Sequence, residues 1–266
     1  MCGIIGLYHP TENVAGEIYD ALIQVQHRGQ DAAGIAAINK NKLSVHKDLG
    51  VVTEVFKTVE SLDLKGNVGI GHVRYPTAGC SDVSEAQPFH TINPVEICLA
   101  HNGTLTNSDE MREFLLNKKF CKFNTQSDSE VLLNLFAYEL SQTSFEVLES
   151  FHIFSALKEV YKRCEGGFAV AVLVEGVGLV SFRDPNGIRP LVLGKKDDGS
   201  FMVASESSAL SALGYIFESD VNPGEAIIIS EQGGVERKTC SENVSHTPCL
   251  FAVSYTHLTL PTNREV

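Results

Sequence analysis

The sequence predicts an α+β fold in which antiparallel sheets pack face to face with helices outside them. Three observations carry that expectation. Short runs rich in Val, Ile and Phe, bounded by Gly, Asn, Asp or Pro, recur along the chain as strands do. Two junctions between such runs, Glu175–Gly178 and Lys196–Gly199, have the glycine-bearing make-up of hairpin turns, which pair strands antiparallel. Between the strand clusters lie stretches with the apolar period of helices that bury one face.

Taken in chain order, Cys2–His9 reads as the first strand. Val14–Gln26 follows as a helix, with Ile18, Leu22 and Val25 aligned on one side. Gly34–Asn39, Lys42–Lys47, Val68–Tyr75 and Ile97–His101 read as strands. Asp128–Gln142 is a helix with Val131, Leu132, Leu135, Phe136 and Leu140 on a broad apolar face; Ser127 is placed to cap it, with Glu130 three residues on. Phe151–Cys164 repeats the pattern with Phe154, Leu157 and Tyr161 and stops at Gly166-Gly167. Strands resume at Phe168–Glu175, Gly178–Asp184, Leu191–Gly194, Ser200–Ala204 and Glu225–Glu231. One domain is expected through about residue 235.

Composition bounds what such a domain does. The chain has 266 residues, 33 acidic against 21 basic, and a net charge of −12. Apolar residues make up 43% and charged residues 20%, the balance of a globular chain rather than a disordered one. The acidic balance argues against nucleic acid, whose phosphates demand clustered Lys and Arg. No apolar run reaches the roughly 18 residues of a membrane span, and no secretion signal opens the chain. A cytoplasmic protein with neither nucleic-acid nor membrane partners is expected. The seven cysteines, at 2, 80, 98, 121, 164, 240 and 249, are odd in number and widely spaced, with no CxxC, which fits reduced thiols rather than disulfides or zinc. Neither GxxxxGK[ST] nor GxGxxG occurs, and the histidines form no HExxH, so neither a phosphate loop nor a metal is implied.

Three segments bear chemistry. Cys2 follows the initiator Met, so removal of Met1 would leave a thiol on the residue that owns the α-amine, a base of pKa roughly 7.7–8.0. The alternative is a buried Cys that begins a strand. His101-Asn102-Gly103 closes an apolar strand where the backbone is expected to turn; the Asn amide and the Gly N–H can converge on an oxyanion, or the pair can be an ordinary Asn-Gly hairpin turn. In the third segment, Gly71–Gly79, Arg74 offers a planar fork for a carboxylate. Asp128, at a helix start, can accept from an α-ammonium group, although acids also stabilise helix N-termini. Arg74 and Asp128 together would clamp a free amino acid.

These residues resemble the glutamine amidotransferase domain of the N-terminal-nucleophile hydrolases, and within that class the amidophosphoribosyltransferase family. The matching pieces are Cys2-Gly3-Ile4-Ile5-Gly6, His27-Arg28-Gly29-Gln30-Asp31, Gly71–Gly79 and His101-Asn102-Gly103-Thr104-Leu105-Thr106-Asn107. Further matches are Ser127-Asp128-Ser129-Glu130, Gly166-Gly167-Phe168-Ala169, Arg183–Leu191 and Ala204-Ser205-Glu206-Ser207, in family order from residue 2 to about 251. The resemblance implies a four-layer αββα sandwich with Cys2 as nucleophile, its own α-amine as base, and Asn102 and Gly103 as oxyanion hole. It implies that Arg74 holds the α-carboxylate of L-glutamine and Asp128 the α-ammonium. Arg74–Pro88 would be the loop that closes over the substrate, Tyr75 and Thr77 further contacts, and Arg28 a support behind the site.

The resemblance also sets limits. It implies a glutaminase unit over 2–235, a connection over 236–251 to an absent phosphoribosyltransferase domain, and a tail over 252–266 that matches nothing in the family and is expected to be disordered. Magnesium and phosphoribosyl pyrophosphate would belong to the absent domain, homo-oligomerisation to the full-length enzyme. No cofactor and no iron–sulfur cluster is expected in this chain. A glutamine-binding module without turnover, or a domain that serves a sugar-phosphate or asparagine-forming acceptor, are the competing expectations.

Overall fold

The computed structural model describes residues 1–39, 42–57, 63–75 and 82–250. The expected tail 252–266 lies outside them. Two antiparallel sheets form the centre. The first, of seven strands, holds β1 (Gly3–Tyr8), β2 (Ala32–Asn39), β3 (Lys42–Leu49), β4 (Val68–Arg74), β9 (Val192–Lys195), β10 (Phe201–Ala204) and β11 (Ile216–Asp220), in the order β11-β9-β10-β1-β4-β2-β3. The second, of six strands, holds β5 (Phe89–Thr91), β6 (Ile97–Leu105), β7 (Gly166–Val174), β8 (Gly178–Arg183), β12 (Glu225–Ser230) and β13 (Val235–Thr239), in the order β13-β12-β8-β7-β6-β5.

Strand parity explains the layering. Successive side chains of a strand face opposite ways, yet most strands here are apolar throughout because both faces are covered. On β7, Phe168, Val170, Val172 and Val174 pack into one core and Ala169, Ala171 and Leu173 into another. The first of these cores takes α3 (Ser108–Asn117), α4 (Asp128–Ser141) and α5 (Ser150–Arg163) against the second sheet. On β1, Ile5 and Leu7 face α1 (Ala15–Gln24), α2 (Val52–Val55) and α6 (Ser207–Ala212), while Ile4 and Tyr8 face the second sheet. Ala36, Ala100, Ala169, Ala171 and their neighbours fill the space between the sheets. The result is the four-layer αββα sandwich, as expected.

Two local expectations change. β6 does not stop at His101: it runs through Asn102 and Gly103 to Leu105, paired with β7 residue by residue (Asn102 opposite Ala169, Gly103 opposite Phe168). The Asn-Gly pair is therefore mid-strand, neither a hairpin nor a strand end, because a distant strand supplies the ladder partners. Ser127 does cap α4, its hydroxyl accepting from the Ser129 N–H at 3.2 Å. Glu130, however, turns to the preceding loop, accepting from the Asn124 N–H (2.9 Å), the Thr125 N–H (2.8 Å) and the Thr125 hydroxyl (2.7 Å). A buried carboxylate is better satisfied by three donors than by one helix-end N–H.

Candidate active site

At one end of the sandwich the inter-sheet layer changes from apolar to polar. On β4, His72 and Arg74 continue the face that carries Val68 and Ile70; on β6, Asn102 continues the face of Cys98 and Ala100; Cys2 precedes β1 on the face of Ile4. Gly3 pairs with Val73, so one further step of the ladder sets Cys2 opposite Arg74. Here the layer opens into a cleft of about 690 Å³ whose walls include Cys2, Arg74, Tyr75, Gly103 and Asp128. Four of the residues singled out by sequence as nucleophile, oxyanion donor and amino-acid clamp thus share one cavity. Tyr75 stands at its rim, about half exposed. Thr77 lies outside the described residues, as do residues 76–81 of the expected closing loop.

Burial raises the Cys2 thiol pKa; opposing it are a hydrogen bond from the Tyr75 N–H and the positive charges of the N-terminus, Arg74 and Arg28. Burial lowers the pKa of the Met1 α-ammonium, so an amine at this place is held toward its neutral form. Arg28 lies behind Cys2: its Nε donates to the Cys2 carbonyl at 2.9 Å and its Nη1 to Glu206 Oε1 at 2.6 Å. Both Arg28 and Glu206 are buried, which fixes the backbone at Cys2. His27 also reaches Glu206 Oε1, at 2.9 Å.

Asn102 is buried, and its Nδ2 finds no acceptor among the described residues. Such an orphaned donor costs stability unless a ligand uses it. Gly103 has no room for a side chain, since a Cβ there would drive into the Gly167 carbonyl. Even-numbered residues near the ends of β6 bond toward β7: Thr106 N–H donates to Glu165 O, and Glu96 O accepts from the Glu175 N–H. Odd-numbered N–H groups face the opposite, open edge. Two of them are claimed by side chains, His101 N–H by Gln87 Oε1 (2.7 Å) and Leu105 N–H by Asp128 Oδ2 (2.9 Å). The Gly103 N–H lies between them and points to the same edge, along the wall of the cleft.

Arg74 Nη1 donates to Asp31 Oδ2 at 2.9 Å, and both side chains are largely buried. A carboxylate that grips one side of the guanidinium orients the remaining donors toward the cleft. His72 spans the sheets, its Nε2–H donating to the His101 carbonyl at 3.2 Å, while burial pushes its pKa down to about 3. His101 bonds Ser129 Oγ through Nδ1 at 2.9 Å and is likewise lowered by burial, against the pull of Asp128. Sequence reasoning missed Asp31, His72, Gln87, Ser129 and Glu206 as site builders. Their partners lie up to 179 residues away along the chain, and the one visible signal was that Asp31, His72, Ser129 and Glu206 fall inside recognisable motifs.

The profile of the glutamine amidotransferase domain matches residues 72–212. The amidophosphoribosyltransferase of Escherichia coli is 50% identical over 260 residues, covering 96% of this chain and 51% of that protein. The amidophosphoribosyltransferase of Saccharomyces cerevisiae is 43% identical over 265 residues, covering 96% and 52%. Among solved structures, the glutamine phosphoribosylpyrophosphate amidotransferase of B. subtilis, complexed with ADP and GMP, superimposes with a TM-score of 0.80 at 33% identity, covering 96% of this chain and 52% of that one. A predicted glutamine amidotransferase from Pseudomonas aeruginosa shares the fold at 16% identity and a TM-score of 0.52. The chain spans about half the length of the amidophosphoribosyltransferases it matches. With more than half of its residues under the family profile, and with the expected sandwich around the cleft, the chain belongs to the glutamine amidotransferase domain family.

Proposed function

We propose that the chain hydrolyses L-glutamine to glutamate and ammonia through a thioester on Cys2. The observation that carries the reading is the convergence of Cys2, Arg74, Gly103 and Asp128 on one cleft, with the orphaned amide of Asn102 beside it. Arg74 takes the substrate α-carboxylate and Asp128 the α-ammonium, which aims the side-chain amide at the thiol. Tyr75 and Thr77 are assigned as further substrate contacts, and Arg28 holds the Cys2 backbone.

Once Met1 is removed, the α-amine of Cys2 accepts the thiol proton and the sulfur attacks the amide carbon. The carbonyl oxygen becomes an oxyanion held by Asn102 Nδ2–H and the Gly103 N–H. As the C–N bond breaks, the ammonium returns its proton to the departing nitrogen and ammonia leaves a glutamyl thioester. The neutral amine then takes a proton from water, hydroxide adds to the thioester, and glutamate departs as the thiol is restored. None of these steps uses a metal or an iron–sulfur cluster. In proteins of the relatives' length the ammonia would pass to phosphoribosyl pyrophosphate and form 5-phosphoribosylamine, the first step of de novo purine synthesis. We assign the glutaminase unit to 2–235, a connection to 236–251, a cytoplasmic location, and homo-oligomerisation to the full-length form.

The test is intact mass of the purified chain before and after an electrophilic glutamine analogue, together with glutamate release. Loss of Met1, one adduct on Cys2, and no hydrolysis by Cys2→Ala are expected. A Cys2→Ala chain with full glutaminase activity would sink the assignment; binding without turnover would leave a glutamine-binding module.

A further inference from the structure

Gln87 stands where a strand gives out. β5 pairs with β6 as far as Phe89 opposite Leu99, and the next step of that ladder would set residue 87 opposite His101. The pairing ends before that step. The side chain of Gln87 stands in for the missing peptide: its Oε1 accepts from the His101 N–H at 2.7 Å, and its Nε2 donates to Ser129 Oγ, on the first turn of α4, at 3.0 Å. Gln87 is itself buried at the cleft wall. Its backbone is pinned as firmly. Lys47 on β3 donates to the carbonyls on either side, Ala86 O (2.5 Å) and Pro88 O (3.1 Å). The Gln87 carbonyl packs on Gly34 so closely that a Cβ there would collide with it.

One amide therefore ties together the end of the Arg74–Pro88 segment, the strand that leads into Asn102-Gly103, and the helix that begins with Asp128. Along the open edge of β6, Gln87 fixes the peptide N–H one ladder step before Gly103, and Asp128 fixes the one a step after it.

We propose that Gln87 is a positioning residue for glutamine hydrolysis, holding the β6 edge so that the Gly103 N–H meets the oxyanion. This rests on the glutaminase reading above. A displacement of about 1 Å at such a donor costs on the order of 100-fold in rate. Gln87→Ala is expected to lower kcat roughly 10–100-fold with KM for glutamine much less changed, because the oxyanion exists only in the transition state. Gln87→Glu keeps an acceptor for the His101 N–H and is expected to recover most of the lost kcat. Hydrogen exchange reads the anchor without turnover: the His101 amide should exchange faster in Gln87→Ala, and the Asn102 amide, turned toward β7, should not. Unchanged His101 exchange overturns the anchor. So does a folded Gln87→Ala chain with parental kcat, or a Gln87→Glu chain as slow as the alanine variant. A parent that never releases glutamate refutes the glutaminase reading instead, while exchange still decides the anchor.

Discussion

His72 makes the fold acid-sensitive in a calculable way. It is fully buried between the sheets, donates from Nε2 to the His101 carbonyl, and has its pKa pushed down to about 3 by burial. In the unfolded chain a histidine titrates near 6.5. Above that value neither state binds the proton and His72 leaves stability untouched. As pH falls from about 6.5 toward 3, the unfolded state takes up a proton that the folded state refuses, and stability is lost. At pH about 5 the unfolded form is favoured by RT ln(1 + 10^1.5), roughly 2 kcal/mol for this one group. In a chain of this size that corresponds to roughly 4–8 °C in Tm. The perturbation is His72→Gln, which retains a donor for the His101 carbonyl and does not titrate. Urea unfolding of parent and variant at pH about 7 and about 5 gives a difference of differences in which the contribution of His101 cancels. The parent should lose about 2 kcal/mol more than the variant on acidification. Equal losses would refute the buried, neutral histidine.

The remaining predictions concern the cleft. Asn102→Ala should reduce kcat roughly 100–1000-fold by loss of an oxyanion donor, with near-parental KM in steady-state glutamate release. Gly103→Ala must displace backbone, since its Cβ would enter the Gly167 carbonyl. We expect a loss of about 1–3 kcal/mol in urea unfolding and a turnover defect no smaller than that of Asn102→Ala. Arg74→Lys loses the planar fork and its hydrogen bond to Asp31, so KM for glutamine should rise about 10–100-fold with a smaller change in kcat.

The strands buried on both faces were legible because unbroken Val, Ile and Ala runs such as Phe168–Val174 leave few other assignments. β13 was not, because Val235–Thr239 is exposed throughout and has no apolar face to reveal it. α3 buries only Met111 and Leu115 among its residues, too few for a period to stand out. Of the site, the chemistry-bearing groups were legible and their supports were not. Cys2, Asn102 and Arg74 announce themselves by residue type and local company. Glu206 means nothing until the fold brings it to Arg28, and Gln87 nothing until β5 ends beside His101. The Asn102-Gly103 dipeptide was read in the wrong local setting for the same reason: β7, its ladder partner, lies about sixty residues further on.

The proposed nucleophile, Cys2, is borne by one sheet and the proposed oxyanion donors, Asn102 and Gly103, by the other, so on that reading the gap between the sheets is also the distance across which the reaction is aligned. Alanines, among them Ala36, Ala100, Ala169 and Ala171, help set that gap. Each is therefore a spacer in the optical sense, well away from the image it keeps in focus. A methyl group added in that layer touches no substrate, yet it would part Cys2 from Gly103 as surely as a change at the cleft itself. The domain's tolerance to mutation should follow that geometry, permissive on its outer helices and intolerant along an interior seam with no chemistry of its own.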